Sequence, residues 1–199
     1  VVGEVFWLDA CVALVRASAI NPTDPDGPTL SEIAAAGDYT RVSVAQTLNK
    51  LVERQWIVDV RESSIPGERE YRFAYPNLWS MVYDTMPGND RKEYHRVTAQ
   101  WCELRPDGRG LVVQEEVARH LENAGEIHKA ATRYRRAADA ARRNFLNTKA
   151  IRLYAKGLTC LGEQNVATRI HIWHDLGSVY ELKGDFEAAL GAFERMLRL

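Results

Sequence analysis

Cysteine is scarce and scattered. Cys11, Cys102 and Cys160 are the three in 199 residues, and no two of them form a CxxC pair. That spacing excludes a dithiol redox motif and a Cys-based zinc knuckle, and offers no disulfide framework, so a reducing, cytoplasmic setting is expected. An excess of one charge is also missing. Twenty-six Lys and Arg against 27 Asp and Glu leave a formal net charge of −1, which favours neither a polyanion nor a membrane surface. No apolar run approaches the ~20 residues a bilayer-spanning helix needs, and no stretch of it resembles a signal peptide. The phosphate-cradling GxxxxGK[ST] loop is absent, so this stretch holds no nucleotide site of that kind.

Catalytic constellations are lacking too. His95, His120 and His128 stand apart from any nucleophile at a recognisable spacing. His171 and His174 share a helix face but have no nearby third ligand. Glu115 and Glu116 read as solvated charge. The expectation is a chain that is not an enzyme, with no metal and no cofactor of its own.

What is present is helical periodicity. Glu4 to Ala19 carries Val5, Leu8, Val12 and Val15 at helical spacing, and Pro22 to Pro28 reads as a loop. Thr29-Leu30-Ser31-Glu32 offers a capping box for a short helix to Ala36, and Gly37-Asp38 a turn. Thr40 to Gln55 follows as a helix with Val44, Leu48, Leu51 and Val52 on one face. The period then changes: Trp56 to Val60 and Glu70 to Tyr75 read as strands around a Ser63–Gly67 turn. Leu78–Met86 and Arg91–Leu104 return to helix, Pro106–Gly110 is a linker, and everything from Leu111 is helical. Helix, helix-turn-helix and hairpin in that order make a winged helix.

Near the C-terminus, Trp173, Leu176, Gly177, Tyr180, Gly184, Ala189 and Phe193 fall at W-x2-L-G-x2-Y-x3-G-x4-A-x3-F. This resembles the tetratricopeptide repeat (TPR), a pair of antiparallel helices that stacks on like neighbours. In such a pair Gly177 admits a close helix approach, Gly184 ends the first helix, Ala189 sits at the crossing and Phe193 fills the groove beyond. Gly125, Ala130, Tyr134 and Ala137 match the second half of the same pattern. Ala150, Tyr154 and Gly157 match again after only 20 residues, where a strict repeat needs 34. The fold expected is mainly α: a winged helix with a small β-hairpin at 1–86, a helical connector at 87–110, and TPR-like hairpins at 111–199. Partner contacts are expected on the first-helix faces, at Glu115, Arg119, Glu122, His171, His174, Asp175, Ser178 and Glu181, where a protein or peptide would lie.

Four segments carry a wider resemblance: Leu51-Val52-Glu53-Arg54-Gln55-Trp56-Ile57, Ile65-Pro66-Gly67-Glu68-Arg69-Glu70-Tyr71-Arg72-Phe73, Arg91 to Trp101, and His120-Leu121-Glu122-Asn123-Ala124-Gly125. Together they resemble the part of bacterial STAND-type signalling ATPases that follows the ATPase core. The resemblance implies a winged helix closing the nucleotide module, TPR-like repeats extending as a sensor arm, and an upstream ATPase domain as intramolecular partner. Val1-Val2-Gly3 and the ending at Leu199 fit a piece of a longer chain. In that family the second wing strand ends F-x-H; here Phe73-Ala74-Tyr75 puts tyrosine at the nucleotide-sensor position, able to donate a hydrogen bond but not to become cationic.

The alternative is a DNA-binding regulator with a TPR ligand arm. Arg41, Ser43, Gln46, Asn49 and Lys50 are groove-reading types, and Arg61, Arg69 and Arg72 could meet phosphates. Asp38, Asp59, Glu62, Glu68 and Glu70 interrupt them, so DNA is not the expected partner. Thr132 to Arg152 holds Arg133, Arg135, Arg136, Arg142, Arg143, Lys149 and Arg152 against Asp139 alone, either a solvated face or a docking patch for an acidic partner.

Overall fold

The structure is a computed structural model, which describes residues 2–19, 37–105, 110–163 and 165–199. Among these the chain is mainly helical with one small antiparallel sheet. The loop expected at Pro22–Pro28, the capping box at Thr29–Glu32 and most of the Pro106–Gly110 linker lie outside the described residues. The chain divides into two compact units, Val1–Trp101 and Cys102–Leu199.

The first unit holds β1 (Val5–Trp7), α1 (Leu8–Ala19), α2 (Gly37–Glu53), β2 (Ile57–Val60), β3 (Glu70–Phe73), α3 (Pro76–Asp84) and most of α4 (Gly88–Leu104). The sheet order is β1-β3-β2, antiparallel throughout. The hairpin β2–β3 is the one the sequence pattern expects. Strand β1 is not: the helix expected from Glu4 begins only at Leu8, because Val5, Phe6 and Trp7 pair with Arg72, Tyr71 and Glu70 across the ladder. Their β-branched and aromatic side chains suit a pleated half-buried surface. Nor does Gly37 form a turn; its backbone already belongs to α2.

Leu8, Ala10 and Val12 of α1, Leu48 of α2, Ile57 of β2, Ile65 of the turn and Tyr71 of β3 form the core of this unit with Phe6 and Trp7. Tyr71 is 0% exposed and stacks on Phe6 at 5.7 Å between ring centroids. Trp101 of α4 stacks on Trp7 at 5.8 Å. Burial of each such aromatic or Leu/Ile side chain contributes about 1.5–3 kcal/mol.

The second unit is a run of helices: α5 (Leu111–Asn123), α6 (Ile127–Arg143), α7 (Asn147–Leu161), α8 (Val166–Lys183) and α9 (Phe186–Leu197). Each packs against its neighbours in sequence. Ala131, Ala137, Ala138 and Ala141 are fully buried, so α6 can lie close to both α5 and α7. Leu153, Tyr154, Ile172 and Val179 fill the spaces between the helices.

One turn recurs. After α5, Gly125 has φ 81°, its N–H reaches Glu122 O, and Glu126 N–H reaches Leu121 O. Phe145 (φ 60°) with Leu146 repeats this after α6, and Gly184 (φ 79°) with Asp185 repeats it after α8. These paired bonds satisfy carbonyls that a helix end leaves open and reverse the chain in few residues. The 20-residue echo in the sequence is thereby explained. Ala130, Tyr134 and Ala137 of α6 correspond to Ala150, Tyr154 and Gly157 of α7, two single consecutive helices joined by the tight turn at Phe145.

Candidate functional site

The hairpin turn of the first unit closes on Glu70. Its Oε2 accepts hydrogen bonds from Trp7 Nε1 (3.1 Å), Ser64 N (2.6 Å), Ser64 Oγ (2.6 Å) and Ser63 Oγ (3.5 Å). Burial works to raise this carboxyl's pKa, but these donors together hold it below the ordinary value. On the same hairpin Arg69 donates to Asp59 at 2.6 Å and lies over the Tyr71 ring at 5.4 Å. Hydrogen bonding to Asp59 raises the arginine's already high pKa. Arg41 is ion-paired with Asp9 of α1. Two of the cations that a duplex would need are thus held by carboxylates of the chain itself.

Tyr75 lies past the end of β3, at the N-cap position of α3, and is 59% exposed. It is neither a strand residue nor packed over the core, since Pro76 opens α3 immediately after it. His95 is buried, with Nε2 2.8 Å from the Tyr83 hydroxyl. His120 is buried with Arg119 Nη2 3.2 Å from its Nε2. Both are therefore core histidines with polar neighbours.

The residues expected to meet a partner fall into two groups. Glu115 is engaged by Lys149 (2.9 Å) and Arg152 (2.8 Å), Glu122 accepts from Tyr134 Oη (2.6 Å), and Arg119 lies against His120. Asp175 is mostly buried and accepts from Arg135 at 3.1 Å, with Arg142 at 4.0 Å and His174 at 3.5 Å. Ser178 Oγ donates to His174 O (3.1 Å), within α8. His171, His174 and Glu181 are exposed. The structure brings His171, His174, Asp175, Ser178 and Glu181 onto one side of α8, with Glu115, Arg119 and Glu122 on α5. Several of them already bind other helices of the array.

The basic run of α6 and α7 is matched in space. Arg133 pairs with Glu103 (2.6 Å), Arg135 and Arg142 with Asp175, and Lys149 and Arg152 with Glu115. Arg136 and Arg143 are left exposed. Tyr134 and Tyr154 are fully buried, and each hydroxyl donates to a carboxylate of the preceding helix, Glu122 and Asp139. Burial first, then the adjacent carboxylate, pushes both phenol pKa values well above normal. Cys11, Cys102 and Cys160 are raised to about 11, 12 and 11, chiefly by burial, so thiolate is scarce near neutrality.

A feature that the motif reading missed lies on the other side of α8. A groove of about 580 Å³ is bounded by Ala155, Leu158, Thr159 and Gly162 of the α7 end, by Arg169, Trp173, Leu176 and Tyr180 of α8, and by Ala188, Gly191, Ala192 and Arg195 of α9. Arg169, Trp173, Leu176 and Tyr180 recur at helical spacing, the signal that places them on one face. Trp173 and Tyr180, named in the sequence only as positions of the repeat motif, are half-buried and line this groove.

Among the described residues no group of three or more His, Cys, Asp or Glu side chains could hold a metal ion, and no helix is long and apolar enough to cross a membrane. No family model matches the chain, and no curated protein sequence matches it either.

Proposed function

We propose that this chain is a non-catalytic regulatory segment of a larger STAND-type signalling ATPase in the cytoplasm. The first unit is its winged helix, which relays to an ATPase core in the same protein. The second is a TPR-like sensor arm that binds a protein or peptide. The observation that carries this reading is the arm's construction. Gly125 and Gly184 close the α5–α6 and α8–α9 hairpins with the same backbone turn, and Ala130, Tyr134, Ala189 and Phe193 stand at the same distances after them. Tightly turned hairpins stacked in series present long side-chain rows to a partner, and such rows suit recognition better than chemistry.

On this reading Tyr75, exposed just beyond β3, faces the nucleotide of the intact protein, and His171, His174, Ser178 and Glu181 face the partner. The engagement of Arg41 by Asp9 and of Arg69 by Asp59 favours this over the DNA-binding alternative.

The test is site-specific photocrosslinking from His171 and Glu181 in the full-length protein. Crosslinks to a protein partner at these two sites are the expected result. Crosslinks confined to the first unit would sink the reading. So would selection of a defined DNA motif whose binding is lost in Arg41→Ala/Lys50→Ala.

A further inference from the structure

The groove between α7, α8 and α9 has a chemistry of its own. Its lining includes two guanidiniums, Arg169 and Arg195, and no carboxylate. Arg195 lies over the Trp173 ring, 5.1 Å from its centroid, and Arg169 Nη1 donates to the backbone oxygen of Glu163 at 3.3 Å. Neither meets a side-chain carboxylate among the described residues, whereas Arg133, Arg135, Arg142 and Arg152 of the same unit each do. Glu194, next to Arg195 in sequence, is turned to Arg198 at 3.4 Å.

Beside these two guanidiniums the lining is largely apolar and aromatic: Trp173, Leu176, Tyr180 and Leu158. Its floor is broad because small residues make it, and a β-carbon at Gly191 would touch nothing within 4 Å. From Arg169 to Tyr180 the lining follows α8 for about 16 Å at 1.5 Å per residue, too long for a small anion to fill.

We infer that this groove binds an acidic segment of a partner protein, with carboxylates on Arg169 and Arg195 and apolar side chains along Trp173, Leu176 and Tyr180. Charge-assisted bonds to the two guanidiniums fix register, and burial against the indole supplies affinity. The inference rests on reading the helical array as a protein-binding arm, and it adds a second surface, on the side of α8 opposite His171 and Ser178.

The test uses the whole chain and a fluorescein-labelled peptide alternating Glu with Leu and Phe, followed by anisotropy. The wild type should bind it and should reject the peptide with Lys in place of Glu. Arg169→Glu and Arg195→Glu should each weaken binding roughly tenfold or more. Gly191→Phe should block the groove by bulk while leaving both charges in place. Arg136→Gln/Arg143→Gln, which removes two exposed charges outside the groove, should bind as the wild type does.

No binding, equal binding of the Lys peptide, or equal loss in the Arg136/Arg143 variant would overturn the inference. If the charge-reversed variants still crosslink a native partner at His171 and Glu181 while the wild type ignores the acidic peptide, the groove fails and the sensor-arm reading stands.

Discussion

Gly177 of α8 lies under the ring of Phe193 of α9. A β-carbon built on Gly177 would stand 2.6 Å from Cε1, 2.7 Å from Cζ and 2.9 Å from Cδ1 of that ring. The two helices can approach this closely only because the side chain is missing.

Replacing Gly177 with Ala therefore sets two effects against each other. Helix propensity favours Ala by about 1 kcal/mol, while forcing a methyl into the packed ring costs about 1–3 kcal/mol. The clash should win, leaving the variant about 1 kcal/mol less stable. Gly191→Ala is the control. It is also mid-helix, but its β-carbon meets open space, so it should gain about 0.5–1 kcal/mol. Urea unfolding of both variants tests this; equal signs would refute the packing account.

Local features were legible before the fold. Gly184 ends α8 at φ 79° and Ala189 is buried where α9 crosses it, because both roles depend on residues within one hairpin. Strand β1 was not legible. Val5–Trp7 is extended because of Glu70–Arg72, and Trp7 meets Glu70 across 63 positions. The cancellation of the basic run was hidden for the same reason, since Arg135 finds Asp175 40 positions on. The 20-residue echo was visible, but its cause lay in a left-handed turn at Phe145, a residue type that turn rules do not flag.

That turn yields a second prediction. Phe145 holds φ 60° while the residue is 88% exposed, so little packing offsets the backbone cost. A left-handed non-glycine residue costs roughly 1–2 kcal/mol, and the added chain entropy of Gly takes back part of the relief. Phe145→Gly should raise stability by about 0.5–1 kcal/mol, and Gly184→Ala, at the equivalent turn after α8, should lower it by about 1 kcal/mol. Thermal unfolding of the pair decides; a destabilised Phe145→Gly would show that the ring has a contact worth more than the strain.

The three thiols should be slow. With pKa values pushed up to about 11 to 12 by burial, each is almost wholly protonated at neutral pH. Thiolate is the reactive form, so labelling of the native protein should lag a free cysteine by about two orders of magnitude or more. Cys102, buried in α4, should react last. Mass spectrometry after timed alkylation reads the order, and rapid labelling of Cys102 in the folded protein would contradict the burial.

Acid should loosen the first unit through Glu70. Its carboxylate gathers the Trp7 indole, the Ser64 N–H and hydroxyl, and the Ser63 hydroxyl, and its folded pKa lies below the ordinary 4.5. A carboxyl with a lowered folded pKa binds fewer protons in the native state than in the unfolded one. Its contribution is then fully present above the unfolded pKa, and is lost as pH falls from there through the folded value. The window accordingly opens near pH 4.5 and extends below it, while stability near neutrality is unaffected by this group. Glu70→Gln should mimic the acid state at every pH. The amide oxygen can take the place of Oε2, but being uncharged it accepts more weakly from the four donors, a loss of about 1–2 kcal/mol. Trp7 fluorescence followed through acid titration provides the measurement: the wild type should show a transition beginning near pH 4.5, and in Glu70→Gln that component should be missing. An unchanged acid transition in the variant would mean that Glu70 does not set the acid stability of this unit.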